Sequence, residues 1–140
     1  MRNPLFLILL ITTHFVSGCN SKFPNASSRR KADETKAQSY LDEAREALST
    51  GNFGVAKSQI KALRDSCRYA LEAREQAILL MDSIDIFAAS KEMQKVDSLI
   101  RNAAEEPSQE LKEKYNELFQ QVKFYQRKLQ HDKQQRKHYD

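Results

Sequence analysis

Ser49-Thr50-Gly51-Asn52-Phe53-Gly54-Val55-Ala56 interrupts two runs of helical periodicity, and its reading decides how the chain folds. Gly51 suits the left-handed conformation that closes a helix. Upstream, Ala37, Tyr40, Leu41, Ala44, Ala47 and Leu48 recur at spacings of three and four, which makes one apolar stripe on a helix that Asp33 is placed to cap. Downstream, Val55, Ala56, Ile60, Leu63 and Cys67 face inward on a second helix that starts near Phe53 or Gly54. A connection this short forces an antiparallel hairpin.

Beyond this hairpin, Ala70 to about Ala104 contains no Gly or Pro and reads as one long helix, or as two with a weak break near Ala88 to Lys91. Its first half carries Leu71, Ala77, Ile78, Leu80, Met81, Ile84, Phe87 and Ala88 over a wide arc, which implies contact on more than one side. In its second half the stripe narrows to Met93, Val96, Leu99, Ile100 and Ala103, the pattern of a helix with one partner. Glu105-Glu106-Pro107-Ser108 then reverses the chain, with Pro107 suited to the first position of a new helix. Beyond it Leu111, Tyr115, Leu118, Val122, Tyr125 and Leu129 alternate spacings of four and three, the seam of a coiled coil, and Phe119 widens it. The expected architecture pairs Met93–Ala103 with Leu111–Val122 as an antiparallel hairpin and leaves the helix from Lys123 onward projecting past the core.

Composition agrees with an all-α fold: three Gly, three Pro, no Trp and a charged fraction of 30% favour helices over strands. The boundaries expected are 1–18 for a leader, 19–32 for a flexible tether, 33–104 for a helical region and 105–140 for the heptad helix.

The first hairpin resembles a tetratricopeptide repeat. Gly51-Asn52-Phe53-Gly54-Val55-Ala56 matches that repeat's turn and the small residue of its second helix, while Tyr40, Ala44 and Ala47 occupy the aromatic and small positions of its first. Arg68 stands where the repeat usually has a proline. The likeness covers about thirty residues, and one such unit needs other helices to cover its apolar face.

At the N-terminus Arg2 precedes an apolar stretch from Leu5 to Val16, which has the length of a signal-peptide core and is too short to span a bilayer. Val16-Ser17-Gly18-Cys19 resembles the lipobox of bacterial lipoproteins. That resemblance implies cleavage before Cys19, acylation of its thiol and amine, and anchoring in a bacterial envelope. Asn20 is not the aspartate that favours inner-membrane retention in that family, so the resemblance places the chain at the outer membrane facing the periplasm. With Cys19 acylated, Cys67 has no intramolecular disulfide partner, and its place in an apolar register reads as packing. The polar run from Asn20 to Lys31 reads as a tether, and Arg29, Arg30 and Lys31 lie within it.

Catalytic signatures are missing from the sequence. Nothing resembles a phosphate-cradling glycine loop or a serine on a strained glycine elbow, and Glu72, Glu75, Asp82 and Asp85 fall at helical spacings that read as a solvated, salt-bridging face. His131 and His138 lie two helical turns apart, roughly 10 Å, too far for one metal ion. We therefore expect no enzyme, cofactor or metal centre. The net charge of +4 is concentrated at the C-terminal end, where Lys123, Arg127, Lys128, Lys133, Arg136 and Lys137 oppose only Asp132 and Asp140. The expected function is a membrane-anchored, non-catalytic interaction or scaffold module that holds an envelope protein. Leu118, Val122, Phe124, Tyr125, Arg127, Lys128, Leu129 and Arg136 are its candidate partner-binding residues. Alternatives are direct binding of an anionic envelope polymer or lipid by the basic helix and self-association through the heptads, while export argues against nucleic acid.

Overall fold

The structure, a computed structural model, describes residues 26–137. The leader, Cys19, the first residues of the tether, His138 and Tyr139 lie outside the described residues. Four helices and no strands make up the described body: α1 (Ala26–Ser49), α2 (Phe53–Ser66), α3 (Leu71–Arg101) and α4 (Gln109–Lys137).

The turn between α1 and α2 follows its sequence closely. Gly51 adopts φ 73°, and the amides of Gly51 and Asn52 donate to the carbonyls of Leu48 and Ala47, at 3.0 and 2.8 Å, in the paired pattern that satisfies a helix C-terminus. Asn52 then opens α2 by accepting from the Val55 amide. A side chain at position 51 would be strained by that φ and would also meet Lys91 Nζ at 3.2 Å.

α1 begins at Ala26, well before Asp33, so the expected tether is helical over 26–32. The reason lies in contacts distant in sequence. Arg30 pairs with Glu72 at 2.6 Å, and Asp33 accepts from the Tyr69 amide at 2.9 Å rather than capping its own helix. Glu34 accepts from the amides of Glu72 and Ala73, at 2.9 and 3.1 Å. These are N-terminal donors of α3, whose own cap residue, Ala70, has no side chain able to accept them. A carboxylate from α1 thus caps α3, which also places negative charge at the positive end of the helix dipole.

α3 is one unbroken helix of 31 residues, roughly 46 Å long, and nothing interrupts it between Ala88 and Lys91. It is the spine of the molecule. α1 runs parallel to it, since Glu34 meets its first turn and the α1–α2 turn meets Lys91. α2 runs the opposite way, with Lys57 paired to Asp85 and the Arg64 carbonyl accepting from Arg74. Leu41, Ala44, Ala56, Ile60, Leu63, Cys67, Ala77 and Ile84 are fully enclosed in the resulting three-helix core. The alanines let the helices approach closely, and Cys67 is buried and unbridged among them.

α4 packs on α3 alone. Ser108 opens it by accepting from the Leu111 amide, which moves the start past Pro107. The helix does not project from Lys123 onward, because Lys128 reaches Asp82 and Arg136 borders a crevice with Glu75 and Ile78 in the first turns of α3. The seam therefore runs antiparallel along almost the whole spine. Leu71, Ile78 and Phe87, expected inward on the wide arc, are exposed in the strips that α1–α2 and α4 leave uncovered.

Candidate interaction surfaces

The eight residues expected to bind a partner do not form one surface. Leu118 and Val122 are buried against α3, Tyr125 and Leu129 are half-buried, and only Phe124 and Arg127 are exposed. The heptad seam is thus largely consumed within the chain. Tyr115 stacks with Phe119 beside it, and Lys123 lies 4.3 Å from the Phe119 ring, a cation on an aromatic face.

Lys128 is the most committed of the eight. Its ammonium donates to Asp82 at 2.5 Å and to Asp132 at 2.8 Å, and His131 lies 3.1 Å from the other oxygen of Asp132. Asp82, read from its spacing as solvated, is only 2% exposed, and its second oxygen has no hydrogen-bond partner among the described residues. Burial raises the Asp82 pKa against the pull of Lys128. The hydrogen bond from Lys128, followed by that from His131, lowers Asp132 to about 2, and the two carboxylates raise Lys128. This arrangement is a latch between α3 and α4. It sets their register because sliding one helix would strand a buried carboxylate.

A groove of about 630 Å³ lies between the end of α1, the α1–α2 turn and the middle of α3. Leu48, Phe53 and Phe87 supply its apolar surface, Arg45 and Lys91 its charge, and Ser90 and Gln94 its polar rim. Phe87 is 56% exposed, although it belongs to the most buried class of side chain. Lys91 lies 5.4 Å from the Phe53 ring centre, and Arg45 is bound to Asp42 and Gln76. Sequence spacing alone does not reveal this site. Phe53 was legible as the aromatic after the turn, but Phe87 and Lys91 meet it only because α1 and α3 run parallel.

A crevice at the opposite end of α1 is lined by Arg29, Asp33, Arg68 and Tyr69. No three His, Cys, Asp or Glu side chains among the described residues are grouped to hold a metal ion, and no described helix is long and apolar enough to cross a membrane. Comparison of the chain with protein-family profiles, curated proteins and solved structures found no match.

Proposed function

We propose that the protein is a non-catalytic interaction module, anchored by an acylated Cys19 at the bacterial outer membrane facing the periplasm, that holds an envelope protein through its helical body. The observation that carries this reading is the groove over Phe53 and Phe87: a concave apolar surface with a few charged and polar groups at its edge has the anatomy of a binding site. The start of the described chain, at Ala26, lies beside the first turn of α3, while the groove lies at the far end of α1 and the α3–α4 turn farther still. An anchor at Cys19 would leave both accessible to a periplasmic partner. Export to that compartment argues against a nucleic-acid partner.

Two measurements test the two halves of the proposal. Metabolic labelling with a clickable fatty acid should mark the wild type and not Cys19→Ala, and only the wild type should resist extraction from membranes by salt. Photo-crosslinkers at Phe87 and Phe124 in intact cells should capture a defined envelope protein from position 87. A Cys19→Ala protein that is still acylated sinks the anchor, and position 87 labelling only lipid and solvent sinks the interaction module.

A further inference from the structure

The fold gathers at one end of the molecule basic residues that the sequence scatters over more than a hundred positions. Arg29 and Lys31 are exposed in the first turns of α1, Arg68 in the α2–α3 turn and Lys133 near the end of α4, where Arg136 is half-buried. They converge because α1 starts beside the start of α3 and α4 ends there. Two apolar side chains share this end: Tyr69 is 53% exposed and Leu71 54%. Carboxylates are present too, but Glu72 is paired with Arg30, Asp33 is engaged by the Tyr69 amide, Glu34 by the amides of Glu72 and Ala73 and Asp132 by Lys128, leaving Asp65 and Glu75 exposed. The opposite end has the reverse character, with Asp97, Glu105, Glu106, Glu110, Glu113 and Glu117 against Arg101, Lys112 and Lys114. The molecule is therefore electrically polarised along its length.

We infer that the Arg29, Lys31, Arg68, Tyr69 and Lys133 end seats on the anionic phospholipid headgroups of the membrane that holds the anchor, orienting the body with its acidic tip away from the bilayer. This inference rests on the anchor reading. Basic side chains are drawn to an anionic surface within a Debye length, and an exposed tyrosine and leucine among them match the half-polar headgroup region. Continuity with the anchor supports the choice of a membrane over a soluble polyanion. α1 is helical from the first described residue, Ala26, and the chain between it and Cys19 can span no more than roughly 25 Å, which keeps this end near the lipid without fixing the orientation of the body. Without the basic face the body would tumble on that short lead; with it, the groove over Phe87 takes a defined height above the membrane.

The test uses the full chain reconstituted into phosphatidylcholine vesicles with and without phosphatidylglycerol, with a single fluorophore on Tyr69→Cys or on Leu99→Cys. Buried Cys67 should resist labelling, and Cys19 is occupied by its lipid or replaced by Ala. Energy transfer to a headgroup acceptor should rise at position 69, and not at position 99, when the anionic lipid is added, and salt should reverse it. Arg68→Glu with Lys133→Glu should abolish the rise while the protein still floats with the vesicles. In the Cys19→Ala background each basic residue removed should weaken the anionic-lipid-dependent part of vesicle binding roughly fivefold. Equal transfer on neutral and anionic vesicles, or a stronger response at position 99, overturns the inference. Loss of flotation from a chain whose Cys19 is unmodified overturns the anchor reading instead. A soluble polyanion that displaces the position 69 signal at physiological salt assigns the face to a polymer and also overturns it.

Discussion

Around α1, α2 and the first half of α3, twelve side chains close into one cluster, seven of them alanine, whereas along the α3–α4 seam burial falls to Ala89, Val96, Leu118, Val122 and one aspartate. In the three-helix region small residues bring backbones together and Leu41, Ile60, Leu63 and Ile84 fill the space between them. Specificity there comes from shape. The seam has one helix on each side, a single apolar line and exposed flanks, so shape alone would tolerate several registers. It carries the Asp82–Lys128–Asp132 latch instead. Burying a carboxylate costs stability, and what the seam gains is a unique alignment.

Mutations should separate the two regions, and the largest effect belongs to the core. Ile60→Ala removes a fully enclosed side chain and should cost about 2–5 kcal/mol in urea unfolding, with loss of helix throughout the three-helix region. A loss confined to the seam would show that the two regions do not differ in this way.

The latch comes next. Lys128→Met leaves Asp82 buried without its donor and should cost about 1–3 kcal/mol, while Asp82→Leu should be near neutral because it removes the unpartnered oxygen as well. In the Asp82→Leu background, Lys128→Met should cost much less. Additive losses would show that Lys128 stabilises α4 by another route.

Acid should act on the same place. Asp132 is held at about 2 against an ordinary 3.8, so its contribution is complete above the ordinary value and disappears as pH falls toward 2. Lys128 is raised above its ordinary 10.5, so its contribution is complete below that value and is lost as pH rises through the elevated one. Asp82 has the opposite sign to Asp132: its raised pKa makes protonation in the folded state favourable, which partly offsets the acid loss. Hydrogen exchange of α4 should therefore be slowest between about pH 4 and pH 10, once corrected for intrinsic rates, and Asp132→Asn should flatten its acid limb. An unchanged acid limb would remove Asp132 from the account.

Smaller effects mark the edges of the two regions. Glu34→Ala strips the cap that α1 lends to α3 and should lower stability by about 1 kcal/mol, with faster exchange at the amides of Glu72 and Ala73. Leu99→Ser, at a side chain 60% exposed on the far part of α3, should change stability by less than about 0.5 kcal/mol. A larger loss there would mean that the seam is better packed than its exposed flanks imply.

Particular elements show what was legible before the structure. The stop at Gly51, the cysteine packed in an apolar register and the antiparallel pairing of the later helices all follow from spacings of three and four and from turn chemistry, which act within one or two turns of the chain. Asp33 shows the limit. As a carboxylate before an apolar stripe it reads as a cap for its own helix, yet the Tyr69 amide takes it. Asp82 fails in the same way: spacing puts it on a charged face, and only the arrival of α4 makes that face an interior. Phe87 is the converse, an apolar residue left outside because the arc it belongs to is wider than its partners.

By itself the sequence determined where helices run, where they turn and which faces are apolar, because those preferences are local free energies of capping, propensity and periodicity. It also carries the run Val16-Ser17-Gly18-Cys19, which resembles a lipobox and lies outside the described residues. Tertiary structure alone decided that α1 starts at Ala26, that a carboxylate of one helix caps another, that α4 lies back along the spine instead of reaching outward, and that basic residues from both ends of the chain meet at one end of the body. Those outcomes depend on contacts between residues tens of positions apart. Their energies exist only once the burial of the shared spine has brought the elements together.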